Sequence, residues 1–147
     1  MGKKKKGVTR VVLDTNVLVS ALLFKGKVSR FVVLWQQGSM SPLLSKKTFE
    51  ELKKVLTYPK FALDQEEIGA ILEDEIFPFF EIIDPVEPIQ GACADPDDDP
   101  FIACAVSGGA DVVVTGDAQL VGMKQYKTVR FVTPSEFLKR CASSEPT

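Results

Sequence analysis

The sequence predicts an α/β fold, a three-layer α/β/α sandwich built on a central, mainly parallel sheet. Three observations carry this. Short apolar, β-branched runs (Val8–Leu13, Asp111–Thr115, Val129–Val132) alternate with segments of helical spacing. The runs are nearly continuous in apolar character, as expected of strands covered on both faces. No internal repeat or long linker interrupts the alternation over 147 residues, a length suited to one hydrophobic core.

Each element has its own signal. Lys3 to Lys6, flanked by glycines, reads as a solvated basic tail over residues 1–7, with a phosphate-contacting arm as the alternative. Val8–Leu13 is the first strand, and Asp14 falls where it ends. Val17–Phe24 has helical spacing and stops at Gly26, a plausible C-cap. Val28–Gln37 is a second helix with Phe31 and Trp35 on one face, closed by Gly38. Met40–Leu44 is a strand in which Pro42 argues for an edge or a strand start. Ser45 opens a helix to about Thr57, where Pro59 stops it. Asp64 and Glu67 form a capping box at the head of a helix through about Phe77. A third strand fits within Glu81–Ile89, a stretch broken by Pro85 and Pro88. Asp95–Pro100 is an acidic turn into a helix from about Asp98 to Ser107, ended by Gly108 and Gly109. Asp111–Thr115 is a Val-rich strand followed by the Gly116-Asp117 turn. After the last strand, Thr133, Pro134 and Glu136 supply an N-cap, a first-turn proline and a capping box. The expected domain is 8–141, with a C-terminal tail at 142–147.

Composition then removes whole classes of chemistry. The chain has no histidine, which excludes Ser-His-Asp and Cys-His catalysis and every HExxH zinc site. Cys93, Cys104 and Cys141 make neither a CxxC pair nor a zinc pattern, so they read as reduced core or surface thiols. The longest nearly apolar stretch, Val17 to Phe24, is far shorter than the ~20 residues that span a bilayer. No h-region follows the lysines, so the expectation is a cytoplasmic protein without a membrane partner. The net charge of −2 argues against a strongly electrostatic nucleic-acid binder, unless acids and bases are segregated.

The chemistry that remains is carboxylate chemistry. In an open parallel sheet, ligands bind beyond the carboxyl ends of the strands at the switch point. Asp14 and Asp117 follow two such ends, and Asp98 opens a helix just before the second of these strands. Alone, Asp14 is equally a helix cap and Asp117 equally a turn residue. Together they would repel one another and raise each other's pKa unless a cation neutralises them. Such a cluster without histidine points to a hard, oxygen-preferring ion, Mg²⁺ or Mn²⁺.

The run Val11-Val12-Leu13-Asp14-Thr15-Asn16-Val17-Leu18 resembles the opening motif of PIN-domain nucleases. Ser45 followed by Glu51-Leu52 and Val55-Leu56 resembles their second motif. Asp95-Pro96-Asp97-Asp98-Asp99 with Phe101 and Ala105 resembles the third, and Ala110-Asp111 through Val114-Thr115-Gly116-Asp117 the fourth. The order and spacing agree over about residues 8 to 140. The nearest subgroup is the toxin components of prokaryotic toxin–antitoxin pairs. The resemblance implies an acidic quartet of Asp14, Glu51, Asp98 and Asp117, supported by Asn16 and Thr115. Glu51 is preferred to Glu50 because it adjoins the Leu52, Val55 and Leu56 face. Asp98 is preferred to its neighbours because it lies seven residues before Ala105. Asp95 reads as a turn-former.

The implied reaction is hydrolysis of phosphodiester bonds in single-stranded RNA with one or two divalent ions, leaving a 5′-phosphate and a 3′-hydroxyl. An antitoxin protein and a homodimer are the implied partners. Phe31, Val32, Leu34 and Trp35 supply either an exposed patch for the dimer or, more simply, core. Lys25, Lys27, Arg30, Lys124, Lys127 and Arg130 are candidate phosphate contacts, although each one alone is more simply an ordinary solvated surface base. Two other functions compete. A haloacid-dehalogenase-like phosphatase also places an aspartate after its first strand. Here, however, Asn16 stands where its second aspartate belongs, and Val121 where the acid after Gly116-Asp117 belongs. A non-catalytic RNA- or protein-binding PIN module would differ by failing to bind divalent metal.

Overall fold

The computed structural model describes residues 8–84 and 99–144, with side chains described as far as Cys141. The lysine tail, residues 85–98 and residues 145–147 lie outside the described residues; Cys93, Asp95 and Asp98 are among these. Among the described residues six strands form one sheet: β1 (Thr9–Leu13), β2 (Met40–Ser45), β3 (Glu81–Ile83), β4 (Val112–Val114), β5 (Gln125–Tyr126) and β6 (Val129–Val132), in the order β3-β2-β1-β4-β6-β5. All pairings are parallel except β5 with β6. Among the described residues seven α-helices accompany them: α1 (Thr15–Leu23), α2 (Arg30–Gln36), α3 (Lys46–Leu56), α4 (Gln65–Ile71), α5 (Asp99–Gly108), α6 (Ala118–Met123) and α7 (Pro134–Ser144). This is the expected three-layer α/β/α arrangement.

The sheet divides the core in two. Val11, Leu13, Val112 and Val114 face a cluster with Leu18, Phe31, Trp35, Leu52 and Phe137. Val12, Val113 and Phe131 face the other, with Ile102, Cys104 and Leu120. Successive strand residues thus enter opposite layers, as the period of two requires. Burial raises the Cys104 thiol to about 12, which makes it an inert core residue. Cys104 is a free thiol.

Several local signals act as expected. Asp64 and Glu67 close their capping box with bonds of 2.9 and 2.8 Å. Thr133 and Glu136 do the same at the head of α7. Gly109 takes a left-handed φ of 67°, and Ala110 N–H bonds the Ala105 carbonyl at 2.8 Å, which ends α5 in a Schellman turn.

Others are corrected. α1 ends at Phe24, and Gly26 instead opens a short 3-10 turn, Lys27–Ser29, that leads into α2. Pro42 is in an interior strand. It is tolerated because β3 pairs only from Leu43 onward, so the half of β2 carrying Pro42 has β1 alone as a neighbour. The helix after Asp64 changes to a π-turn at Leu72–Ile76. The simpler reading of α2 holds, by contrast: Phe31, Leu34 and Trp35 are buried core.

One buried charge had no sequence signal. Arg10 is 5% exposed on β1, and its guanidinium donates to the Gly108 carbonyl at 3.1 and 2.6 Å and to Glu81 at 3.0 Å. It ties β1 to β3 and to the end of α5. Among the described residues, no helix is long and apolar enough to cross a membrane.

Candidate active site

The strand order reverses between β1 and β4: β2 and β3 extend to one side, β4 and β6 to the other. The crevice at this switch point lies beyond Leu13 and Val114, whose Cα positions are paired. Asp14 and Thr115 are therefore side by side. The Thr115 hydroxyl donates to Asp14 Oδ2 at 2.5 Å and accepts the Asp117 N–H at 3.0 Å. Thr115 is fully buried, so one hydroxyl fixes both the first carboxylate and the turn that presents the second.

Both aspartates also cap helices. Asp14 Oδ1 accepts the Val17 N–H at 2.8 Å at the head of α1. Asp117 Oδ1 accepts the Gln119 N–H at 2.8 Å at the head of α6. The capping reading of Asp14 is thus correct, and Asp117, expected as a turn residue, caps α6 as well, yet capping alone would be served equally by serine or asparagine. What capping does not require is two carboxylates in one cleft. A cleft of about 360 Å³ is lined by Asp14, Asn16, Val17, Ser20, Val28, Gly116, Asp117 and Pro134. The first turns of α1, α6 and α7 converge on it, and their partial positive charge favours anions there.

The electrostatics are those of an unneutralised acid. Burial is the main cause that pushes the Asp14 carboxyl above its ordinary value of 3.8. Hydrogen bonds from Thr115, the Val17 amide and the Gly116 amide oppose that rise, and the Asp117 charge adds to it. A divalent cation at the cleft would remove both penalties. The donor chemistry fits a hard ion, because the carboxylates, the Asn16 amide and the Thr115 hydroxyl offer oxygen and neither imidazole nor thiolate.

Four of the six residues singled out in the sequence come together here: Asp14, Asn16, Thr115 and Asp117. Glu51 is half-buried on α3, which starts at the same carboxyl edge through its N-cap Ser45, but it does not line this cleft. Its neighbour Glu50 is exposed and pairs with Lys53 at 3.0 Å. Asp98 lies outside the described residues, and α5 is described from Asp99, which is buried. Among the described residues, no group of three or more acids, cysteines or histidines is close enough to hold a metal. Ser20, Val28 and Pro134 were not foreseen as cleft residues; only Pro134 carried a signal, as the first-turn proline of α7.

A family model described as a PIN domain matches residues 10–119, most of the chain and all of the strands that frame the cleft except β6 and β5. Among solved structures, the crystal structure of PAE2754 from Pyrobaculum aerophilum superposes with a TM-score of 0.56 at 17% identity. The match covers 94% of this chain and 98% of that one. At that identity the likeness is one of fold. No curated protein matches the chain.

Proposed function

This chain belongs to the PIN domain family, whose members are generally nucleases that typically use divalent metal, and we propose on that premise that it is an Mg²⁺- or Mn²⁺-dependent endoribonuclease of single-stranded RNA. The observation that supports this most is the shared Thr115 hydroxyl, which holds Asp14 and the Asp117 backbone together at the switch point.

In this reading Asp14 and Asp117 hold the metal, and Asp98 and Glu51, the latter on α3, complete the acidic quartet. When bound, the ion supplies charge neutralisation at the phosphate and lowers the pKa of a nearby water. The chain's own residues do the rest. Thr115 keeps Asp14 oriented and opposes the burial that raises its carboxyl. Asn16, exposed on the first turn of α1, presents an amide to a phosphoryl oxygen. The converging helix N-termini favour the bound phosphate. Single strands are favoured over duplexes because the acids sit in a recess and an unpaired strand can bend into it.

The toxin role rests on the motif resemblance, and a partner acting as antitoxin would cover this cleft. The test of the activity is incubation of end-labelled single-stranded RNA with the purified chain and Mg²⁺, Mn²⁺ or EDTA. Cleavage with either ion, abolished by EDTA and by Asp117→Asn, is the expected result. Neither metal binding nor cleavage would favour the non-catalytic module, whereas metal binding without cleavage would mean a substrate narrower than the RNA tested.

A further inference from the structure

Beside the acidic cleft lies a second recess of about 500 Å³, between the Lys27–Ser29 turn and the first two turns of α7. The two adjoin, sharing Val28 and Pro134 as lining residues. Their chemistry is opposite. The groove has an apolar floor in which Leu138 joins Val28 and Pro134, and its walls carry the exposed cations Lys27, Arg30 and Lys139. No acid is among its described lining residues. The nearby Glu136 is turned back on Thr133, whose N–H and hydroxyl it accepts at 3.2 Å.

We infer that this groove is a nucleotide subsite. It holds the part of a single strand that flanks the scissile phosphate, with a base or sugar on the apolar floor and backbone phosphates against Lys27, Arg30 and Lys139. The inference rests on the nuclease reading of the adjoining cleft. Three observations carry it to a nucleic acid and not to an acidic protein segment. The groove adjoins the candidate phosphodiester site, with Val28 and Pro134 common to both. Its volume lies in the ~300–1,000 Å³ range of small-ligand pockets, suited to a nucleotide. Its cations surround an apolar floor, which matches a base carried between phosphates. Such a local cluster of cations lets a chain of net charge −2 attract RNA at this face.

The test is binding of a short fluorescent single-stranded RNA by anisotropy in EDTA, across a salt series, so that cleavage plays no part. The chains compared are wild type, Lys27→Ala/Arg30→Ala, Lys139→Ala, and Lys60→Ala as a remote control. Lys60 stacks over Phe61, which packs on Phe24 at the far end of α1 from Asp14. Each groove cation removed should lower the log–log salt slope by about 0.7, the single-strand value for one phosphate contact. The double variant should therefore lose about 1.4 in slope and bind severalfold more weakly, while Lys60→Ala keeps the wild-type slope. With Mn²⁺ present, the groove variants should raise KM and keep kcat. Unchanged affinity and slope in the groove variants would overturn the inference, even if cleavage remains dependent on Asp14 and the nuclease reading stands. Loss of cleavage in wild type with the slope change intact would instead overturn the nuclease reading alone. Weakened binding of polyglutamate with RNA binding unaffected would make the groove an acidic-protein site and likewise overturn the inference.

Discussion

Replacing Thr115 by valine removes one hydroxyl, keeps the shape of the side chain and isolates the bond that organises the site. The hydroxyl makes two hydrogen bonds from a fully buried position, one of them to a carboxylate. A hydrogen bond to a charged group contributes about 1.5–3 kcal/mol and a neutral one about 1 kcal/mol. Valine returns a few tenths of a kcal/mol through its extra buried methyl, so the net loss is about 2–4 kcal/mol. Thr115→Ser keeps both bonds and loses one buried methyl, about 1 kcal/mol. Urea unfolding in metal-free buffer at neutral pH reads both variants. With a slope of about 1–3 kcal/mol/M, the valine midpoint should fall by roughly 1–2 M and the serine midpoint by less than half that. The valine deficit should shrink on acidification, because the bond it lacks is strongest to the ionised carboxylate. A valine variant within about 0.5 kcal/mol of wild type, or a serine variant as weak as valine, would refute the reasoning.

Other expectations follow from the same structure. The Asp14 carboxyl is raised by burial above its ordinary value, so the metal-free folded state binds its proton more tightly than the unfolded chain does. The stability this group contributes is full below the ordinary value of 3.8 and is lost as pH rises through the higher folded value. Asp14→Asn should therefore equal or exceed wild type in metal-free stability at neutral pH, with the advantage vanishing in acid; a large neutral-pH loss in urea titrations would contradict this. Arg10→Met should cost about 2–4 kcal/mol, less than for a fully buried pair because Glu81 is partly exposed, since it leaves the Gly108 carbonyl and Glu81 without the guanidinium. A loss below 1 kcal/mol by thermal or urea unfolding would show that the link is not structural. Cys104, with its thiol pushed to about 12 by burial, should resist iodoacetamide in the native protein and react on unfolding, as peptide mass spectrometry would show; native labelling at the rate of Cys141 would count against its burial.

The parts of the fold that were legible in the sequence were those set by local chemistry. β1, β4 and β6 are runs that only a sheet covered on both faces would bury. The heads of α4 and α7 are marked by capping boxes whose bonds are made within one turn. Asp14 and Asp117 were legible as strand-end acids because the switch-point rule links sequence position to place in space. What depended on distant packing was not legible. Arg10 on β1 is neutralised by Glu81 on β3 and by the end of α5, partners 71 and 98 residues away. The two-residue β5 is too short for a periodic signal and exists because it pairs antiparallel with β6. Pro42 suggested an edge strand; the partial overlap of β3 with β2, invisible in sequence, makes an interior position possible. The groove lining from α7 was missed for the same reason. Lys139 and Leu138 look like any amphipathic helix until α7 is set against the Lys27–Ser29 turn.

The central claim is that Asp14 and Asp117 form a site for a hard divalent ion, and Mn²⁺ binding tests it without reference to any RNA. Thermal unfolding is followed as Mn²⁺ is titrated into wild type and Asp14→Asn. Saturation to 100 times the dissociation constant should stabilise wild type by about 2.7 kcal/mol, while the variant, lacking the carboxylate, should shift little or not at all. Equal stabilisation of both chains, or none in wild type, would contradict the account.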